Sequence, residues 1–269
     1  MMLARAARVA RLYGKLQVLH LRAHLEYEAD FWIGLVGIAL THGSGFLVVW
    51  IVLSRVPSVQ GWRLWEVAVL YALAIIPRGL GEIFYNGQWR LRQLVNEGEF
   101  DRLLVRPLSP LVQVITQVAN IHGFGPVALG GVILARATTE LHMVWTPARI
   151  AFLGATVVGS TILIGSIHLA TNCIVFWDAA ATSSFPFLVG NCAEFAKFPT
   201  TLYGRLVQFG LTWVLPFAFV SYYPGAILLH KPGASPWLGY AAPLVGPLVA
   251  LIAGYVWRRG LARYQGTGH

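Results

Sequence analysis

Charged side chains are scarce in this sequence. Asp, Glu, Lys and Arg make up 12% of its 269 residues, whereas hydrophobic residues make up 57%, and the mean hydropathy is +0.63. Soluble globular domains contain about 25% charged residues. The composition therefore excludes an ordinary soluble protein and predicts a multi-pass membrane protein.

Cysteine and the usual catalytic motifs are also nearly absent. The two cysteines, Cys173 and Cys192, form no CxxC pair. The histidines at 122, 142 and 168 form neither HExxH nor an i, i+4 pair with another ligand. No nucleophile has a base and an orienting group beside it in the sequence. We therefore predict no catalytic residue, no metal site and no enzyme activity of the chain by itself.

The phosphate-binding motif GxxxxGK[ST] is missing. The only Gly-Lys pair, Gly14 and Lys15, has Val9 where the first glycine of the motif would stand. The chain is thus expected to bind no cofactor. If ATP drives this protein, then ATP and Mg²⁺ are bound by another chain.

The formal net charge of +9 does not predict nucleic-acid binding. A nucleic-acid partner requires a basic face on a soluble fold. Here the Lys and Arg residues lie mainly between apolar runs, where the positive-inside rule explains them. The partner expected from the composition is membrane lipid.

Six apolar stretches are each long enough to cross about 30 Å of hydrocarbon, which takes about 20 helical residues. Only the second contains Asp, Glu, Lys or Arg, namely Glu66, Arg78 and Glu82. The sequence therefore predicts one all-α polytopic domain with six transmembrane helices, over residues 31–53, 64–85, 111–135, 150–176, 206–229 and 237–257.

Residues 1–30 precede the first span and are rich in arginine. Apolar residues recur there every three or four positions beside Arg5, Arg8, Arg11, Lys15 and Arg22. This pattern predicts an amphipathic helix lying in the headgroup layer. A targeting peptide is the alternative, although the continuous apolar core of a secretory signal is missing.

The distribution of Lys and Arg predicts the orientation. Fourteen of them lie on the side of the N-terminus and five on the other side, with Arg78 left inside a span. Both termini and the loop 86–110 are therefore expected in the cytoplasm.

Two segments are harder to place. Residues 179–193 are apolar but number only about 15, which suits an interfacial or re-entrant piece better than a span. A seventh crossing there is the alternative. Tyr222 to Gly225, with Pro232 and Pro236 beyond, predicts a helix break and a re-entrant stretch over 222–239.

Arg78 is the charge that most requires a partner, because an unpaired arginine at the bilayer centre costs about 2.5–3.5 kcal/mol. Glu82 lies one turn away and is the expected partner. The pair either lines a cavity mouth or gate, or is a snorkelling ion pair that only holds the second span.

A charged island, GEFDRLLVRPLSP at 98–110, lies between the second and third spans. Phe100, Leu103 and Leu104 recur at helical spacing, and Pro107 and Pro110 end the pattern. We expect a short cytoplasmic helix that is held by another protein.

That island, the run from Pro199 to Leu229 and the ending WRRGLARYQGTGH at 257–269 together resemble the ABC-2 type permeases, in particular a bacterial branch of similar length. The resemblance implies a six-helix permease subunit in the bacterial cytoplasmic (inner) membrane. It also implies a cytoplasmic amphipathic N-terminal helix, a coupling helix in the first cytoplasmic loop and a re-entrant segment between spans five and six. The implied partners are two ABC ATPase subunits and a second permease, identical or sister.

Carried over by position, the coupling helix covers Asn96–Arg106, and the N-terminal helix is a second contact. The coupling residues are Glu97, Glu99, Phe100, Asp101, Arg102, Leu103, Leu104 and Arg106, with Phe100, Leu103 and Leu104 as the apolar anchor for the ATPase.

The expected function is export of a hydrophobic or amphipathic substrate, driven by ATP through tilting of the first, second and fifth spans. The alternative is an ATP-independent channel, a secondary transporter or a membrane-embedded lipid enzyme. Residues proposed for a gate or path are Arg78, Glu82, Trp213, Phe217, Tyr222 and Tyr223.

Overall fold

The computed structural model describes residues 28–118, 120–178 and 184–265. Within these ranges the chain is helical and contains no β-strand, only an isolated bridge between Val59 and Trp62. The predicted interfacial helix lies almost entirely outside the described residues. The all-α expectation is confirmed for the part of the chain that is described.

Eleven α-helices are present in the described ranges. They are α1 (Glu28–Arg55), α2 (Leu64–Tyr85), α3 (Leu91–Asn96), α4 (Glu99–Leu104), α5 (Pro110–Ile115), α6 (Phe124–Glu140), α7 (Pro147–Asn172), α8 (Ser184–Asn191), α9 (Arg205–Phe209), α10 (Tyr222–Leu228) and α11 (Pro236–Arg263). Short 3₁₀ segments cover Asn86–Arg90, Ile121–Gly123, Cys173–Phe176, Cys192–Lys197, Thr200–Leu202 and Phe217–Phe219, and a π-helical turn covers Gly210–Val214.

Among the described residues, five helical stretches are long and apolar enough to cross a membrane: Trp32–Arg55, Leu64–Asn96, Ile121–Glu140, Pro147–Phe176 and Pro236–Arg263. A sixth candidate is a bent pair, Arg205–Val214 with Phe217–Leu228, whose halves meet at 80°. The chain is thus a multi-pass membrane protein whose described part has five or six candidate spanning helices.

The third span begins later than the predicted residue 111. α5 ends at Ile115, and the chain then turns before Asn120, whose side chain accepts a hydrogen bond from the His122 backbone N–H at 3.1 Å. α5 is held against the end of α2, since a Cβ added at Gly87 would lie 2.1 Å from the Val114 carbonyl oxygen. The apolar run 111–135 is therefore divided between a short helix and a membrane helix.

The loops gather at the two ends of the bundle. One end, which we call the ionic end, contains the loops 56–63, 141–146 and 229–235. There Lys231 pairs with Glu66 at 2.7 Å and donates to the Gly61 carbonyl at 2.8 Å. The other end contains residues 86–110, 173–178 and 257–265, and we call it the hairpin end.

α7 and α11 run parallel and in contact from one end to the other. A Cβ added at Gly246 would lie 1.9 Å from the Gly159 carbonyl oxygen, so the two backbones touch. Phe152 and Tyr240 pack at 5.9 Å between ring centroids near the ionic end, and Phe176 and Trp257 at 5.3 Å at the hairpin end. Small residues permit this close approach, as they commonly do in membranes.

The segment 184–202 follows α2 in the opposite direction. Gly190 lies beside His168 and Trp89 near the hairpin end. Further along, Glu194 pairs with Arg78, and the Lys197 ammonium lies 5.3 Å from the centre of the Tyr71 ring. The segment then reaches the ionic end, where its last residues line an apolar cavity of about 150 Å³ together with α1 and α2: Phe198, Pro199 and Leu202 against Val48, Val52 and Val67.

The break in the following stretch lies earlier than predicted. Tyr222 to Gly225 lie inside α10, whereas the chain bends at Leu215 and Pro216. Proline has no backbone N–H and forces the preceding residue out of the helical region, and Leu215 has φ −119° and ψ 87°. Pro216 therefore sets the bend.

Candidate functional site

Residues 91–104, which include the start of the charged island, form a helical hairpin made of α3 and α4, and Val105 follows directly after it. Gly98 joins the two helices with φ +70°, a left-handed conformation that favours glycine. The Gln93 amide donates to the Glu97 carboxylate at 3.0 Å on the exposed side. The hairpin thus presents one face to the bundle and another away from it.

The inner face is an aromatic cluster. Phe100 is fully buried, with ring centroids 5.4 Å from Phe176, 6.2 Å from Trp257 and 5.0 Å from Tyr264. The backbone of the hairpin is held as well, because the Gln113 amide donates to the carbonyls of Leu103 and Leu108 at 2.9 and 3.0 Å. The hairpin is therefore joined to the ends of the fourth and last spans.

This burial corrects the sequence interpretation of the apolar anchor. Phe100 and Leu103, expected to bind a partner, are 0% and 4% exposed and pack within the chain. Leu104 is 42% exposed and the adjacent Val105 is 84% exposed. The helical spacing identified an apolar face correctly, but that face meets the bundle, and the exposed apolar surface lies at the end of α4.

The exposed surface of the hairpin carries both charge signs. Glu97, Arg102 and Arg106 are exposed around Leu104 and Val105, whereas Glu99 and Asp101 are half-buried. Burial and the adjacent Asp101 carboxylate raise the pKa of Tyr264 to about 12, so this tyrosine is neutral at physiological pH. A surface of this kind suits a protein partner, with apolar contact at the centre and charges around it.

A second polar region lies inside the bundle. Arg78 pairs with Glu194, which also accepts from the Lys197 ammonium at 2.5 Å. The Tyr71 hydroxyl, below Lys197, donates to the His42 carbonyl at 2.6 Å. These contacts link α1, α2 and the 3₁₀ segment 192–197.

The expected pairing of Arg78 with Glu82 is wrong in this structure. Among the described residues, Arg78 forms its ion pair with Glu194, 116 positions along the chain, and Glu82 forms none. Because residues four apart share one helix face, sequence spacing favoured Glu82. The fold instead places Glu194 beside Arg78, and Arg78 pairs with Glu194.

A polar cavity of about 320 Å³ adjoins this network, nearer the hairpin end. It lies among α1, α2, the start of the third span and α7. It is lined by Ile38, Arg78, Gly81, Glu82, Tyr85, Asn86, Gln88, Trp89, Asn120, Ile164, Gly165 and His168.

Of the six residues expected for a path or gate, only Arg78 and Glu82 line this cavity. Phe217 and Tyr222 are buried in the bundle, and Trp213 is exposed on its surface. The Tyr223 hydroxyl lies 3.2 Å from that of Thr212. The structure therefore does not bring the six residues together.

Sequence reasoning did not single out Glu194, Lys197, Gln88 or His168 as a group. Glu194 and Lys197 stand three positions apart next to the apolar stretch 179–193, and such a pair beside an apolar segment is a usable signal for an intramembrane ion pair. Gln88 and His168 give no comparable signal, because only the fold places them on one cavity.

Comparison with known proteins shows the family to which the chain belongs. The sequence model of one family, described as ABC-2 family transporter protein, matches residues 39–268. Neither the curated proteins nor the solved structures contain a match to the chain.

Proposed function

The chain belongs to the ABC-2 family of transporter proteins, and from this premise we propose that it is the membrane-spanning permease subunit of an ATP-driven exporter. In this proposal two separate ATPase subunits bind ATP and Mg²⁺, and a second permease, identical or sister, completes the complex in the bacterial inner membrane. The transported molecule is hydrophobic or amphipathic.

The observation that carries the proposal is the two-faced hairpin at residues 91–104. Its outer surface exposes Leu104 and Val105 among charges, which is the composition of a docking surface. Its inner surface is fixed by Phe100 to Phe176 and Trp257. A partner that moves the hairpin must therefore move the ends of the fourth and last spans.

This arrangement changes the expected route of the motion. The first, second and fifth spans were expected to tilt, whereas Phe100 contacts the fourth and last. These two spans are in backbone contact at Gly159 and Gly246. We propose that ATP-driven closure of the ATPases displaces the α7–α11 pair first, and that the other spans respond to it.

The path of residues 184–202 supports a specific membrane topology. Because this segment runs from the hairpin end to the ionic end, we propose that it is the fifth crossing. The bent stretch 205–228 then enters and leaves at the ionic end, as a re-entrant segment does. Tyr222 supports this placement, since its ring lies 5.9 Å from that of Trp62 in an ionic-end loop.

Cysteine labelling in intact cells tests this topology. In a C173A/C192A background, Thr201→Cys and Val144→Cys are expected to react with an impermeant maleimide, and Val105→Cys only after the cells are opened. Reaction of Thr201→Cys with the same pattern as Val105→Cys would place residue 201 at the hairpin end and contradict the proposed crossing.

The coupling role is tested with two exposed valines at opposite ends of the bundle. Val105→Asp places a charge on the docking surface and is expected to abolish stimulation of the partner ATPase and transport. Val144→Asp is the matched control, because Val144 is 69% exposed in an ionic-end loop. Both variants should insert normally.

Equal ATPase stimulation in Val105→Asp and wild type would remove the hairpin from the coupling role. Copurification of the chain without any ATP-binding subunit, together with transport in the absence of ATP, would favour an ATP-independent carrier instead.

A further inference from the structure

The polar cavity near the hairpin end is large enough for a small ligand or a headgroup. Its volume of about 320 Å³ lies within the usual range of ligand sites, roughly 300–1,000 Å³. Its walls come from α1, α2, α7 and the start of the third span. Every residue of the lining lies on these elements or on the 3₁₀ segment Asn86–Arg90.

Gln88 and His168 belong to the lining but carry buried polar atoms. Gln88 is only 2% exposed, and its Oε1 accepts no hydrogen bond from the described residues. The Nε2 atom of His168 is also buried without a partner among them. Both atoms are enclosed by the protein and do not border the open space of the cavity, so the ligand contacts fall to the charged residues of the lining.

The two charged residues of the lining, Arg78 and Glu82, have opposite charges. Arg78 and Glu82 lie one helical turn apart on α2, which separates their Cβ atoms by about 6 Å. Arg78 has five N–H donors and gives one to Glu194, so donors remain for a ligand. Glu82 has no ion pair among the described residues.

The charge balance favours a ligand that is itself neutral overall. Arg78 and Lys197 are offset by Glu194 and Glu82, so the group carries no net charge. A ligand with a net charge would leave an uncompensated charge in a low-dielectric interior, which is costly. A zwitterionic ligand would leave no uncompensated charge there.

Aromatic rings complete the lining. Tyr85 and Trp89 follow Glu82 in the chain and line the same cavity. The Trp89 ring packs against the His168 ring at 5.0 Å between centroids. Indole and phenol faces attract cations. The Glu82 carboxylate is thus suited to an ammonium group.

From these observations we propose that this cavity binds a zwitterionic group, with its ammonium at Glu82 and its anionic oxygens at Arg78. The phosphoethanolamine group has this chemistry, either as the headgroup of a lipid or as a free molecule. The lining includes no residue of the hairpin, so binding can be tested separately from ATP and from the coupling role.

Binding can be measured on the purified full-length protein without ATP or a partner. The probes are short-chain phosphatidylethanolamine, free phosphoethanolamine and short-chain phosphatidylglycerol, which lacks the ammonium. We expect saturable binding of phosphatidylethanolamine and much weaker binding of phosphatidylglycerol. Equal binding of both lipids, or no binding of any probe, would overturn the proposal.

Two variants test the site by different means. Glu82→Gln removes the carboxylate proposed to bind the ammonium of the ligand. Binding should weaken about tenfold or more, as expected for loss of a charged hydrogen bond. Gly81→Leu fills the cavity and should also abolish binding, because Gly81 lines it and a Cβ there meets open space. An unchanged affinity in either folded variant would contradict the site.

Matched controls are available on the surface. Glu140→Gln removes an exposed carboxylate paired with Arg136, and Gly131→Leu adds the same side chain at an exposed helical glycine with open space. Both should bind as wild type does. Binding of free phosphoethanolamine as tight as that of the lipid would make the ligand a soluble molecule, and binding of the lipid alone would make it a headgroup.

Discussion

The two ends of the bundle are held together by different forces. At the hairpin end, Phe100, Phe176, Trp257 and Tyr264 form a cluster of rings with centroids 5.0–6.2 Å apart. At the ionic end, the loops are joined by Lys231 to Glu66 and Gly61, and Lys231 lies over the Trp62 ring.

This difference matters for a protein that transmits motion. Close-packed rings leave no alternative arrangement without a cavity, so the hairpin end moves as a unit. The ionic end instead combines the largely buried pair of Lys231 and Glu66 with a contact between the Trp62 and Tyr222 rings. In the proposed transporter, the hairpin end would transmit force and the ionic end would open.

The largest effect is expected from Phe100→Ala. Removing a fully buried ring from the cluster should lower the free energy of unfolding by about 3–5 kcal/mol, measured by thermal or denaturant unfolding in one detergent. Val105→Ala is the control on the same hairpin, and a change within about 0.5 kcal/mol is expected for an exposed side chain. Equal effects of the two substitutions would contradict an aromatic core at this end.

Lys231→Met should have a smaller effect, about 1–3 kcal/mol, because it removes hydrogen bonds of a charged group. Glu66 is left with the backbone N–H of Arg63 as its remaining partner at this site. Because both side chains of the pair are largely buried, salt should change this loss only slightly. Arg136→Met, which removes an i, i+4 pair with an exposed arginine, should change stability by less than about 0.5 kcal/mol. A loss for Lys231→Met no larger than that for Arg136→Met would contradict a stabilising role of the Lys231 pair.

The glycines with positive φ allow a direct comparison of the ends. Gly98→Ala and Gly61→Ala replace residues at φ +70° and +79°, and each should cost about 1–2 kcal/mol in unfolding free energy. If the hairpin couples to an ATPase, then only Gly98→Ala should also reduce ATPase stimulation. Loss of stimulation in both variants would point to a general effect of stability.

The smallest expected effect concerns Tyr264. Its pKa is raised to about 12 in the folded chain from a reference of 10.0, because burial and the Asp101 carboxylate favour the neutral form. The stabilisation is therefore complete below pH 10 and is lost as the pH rises through 12. Near pH 8, a change of pH should shift the melting temperatures of wild type and Tyr264→Phe equally. Between pH 10 and 12, the melting temperature of wild type should fall further than that of Tyr264→Phe. Parallel curves throughout would exclude a titrating Tyr264.

Apolar length alone predicted most of the long helices. Helices long and apolar enough to cross a membrane overlap the first, second, fourth and last predicted spans, because about 20 consecutive apolar residues have few alternatives in a bilayer. The third span could not be delimited in this way, since residues 111–135 contain no Asp, Glu, Lys or Arg, although Thr116, Gln117 and Asn120 fall at the break. Its break depends on packing of α5 at Gly87 and on the cap formed by Asn120.

Partners distant in sequence were beyond prediction. The pairing of Arg78 with Glu194 depends on the path of residues 184–202, whose short helix and 3₁₀ turn give no span-length signal. Likewise, the spacing of Phe100, Leu103 and Leu104 identifies an apolar face but does not say whether that face meets the same chain or another. The exposure of Val105 follows from the position of the hairpin on the bundle and could not be read from the spacing.

The contact of Gly159 with Gly246 has a mechanical consequence. Where two helix backbones touch, neither can slide along or rotate past the other without a clash at that point, so α7 and α11 should tilt together. Pro243 and Pro247 interrupt the backbone hydrogen bonds of α11, so the stiffness of the pair comes from α7, which is about 39 Å long at 1.5 Å per residue over its 26 residues. Phe100 contacts the pair at the hairpin end, and Tyr240 and Phe152 lie towards the ionic end. A small tilt imposed at the hairpin would be carried along α7 to the other side of the membrane.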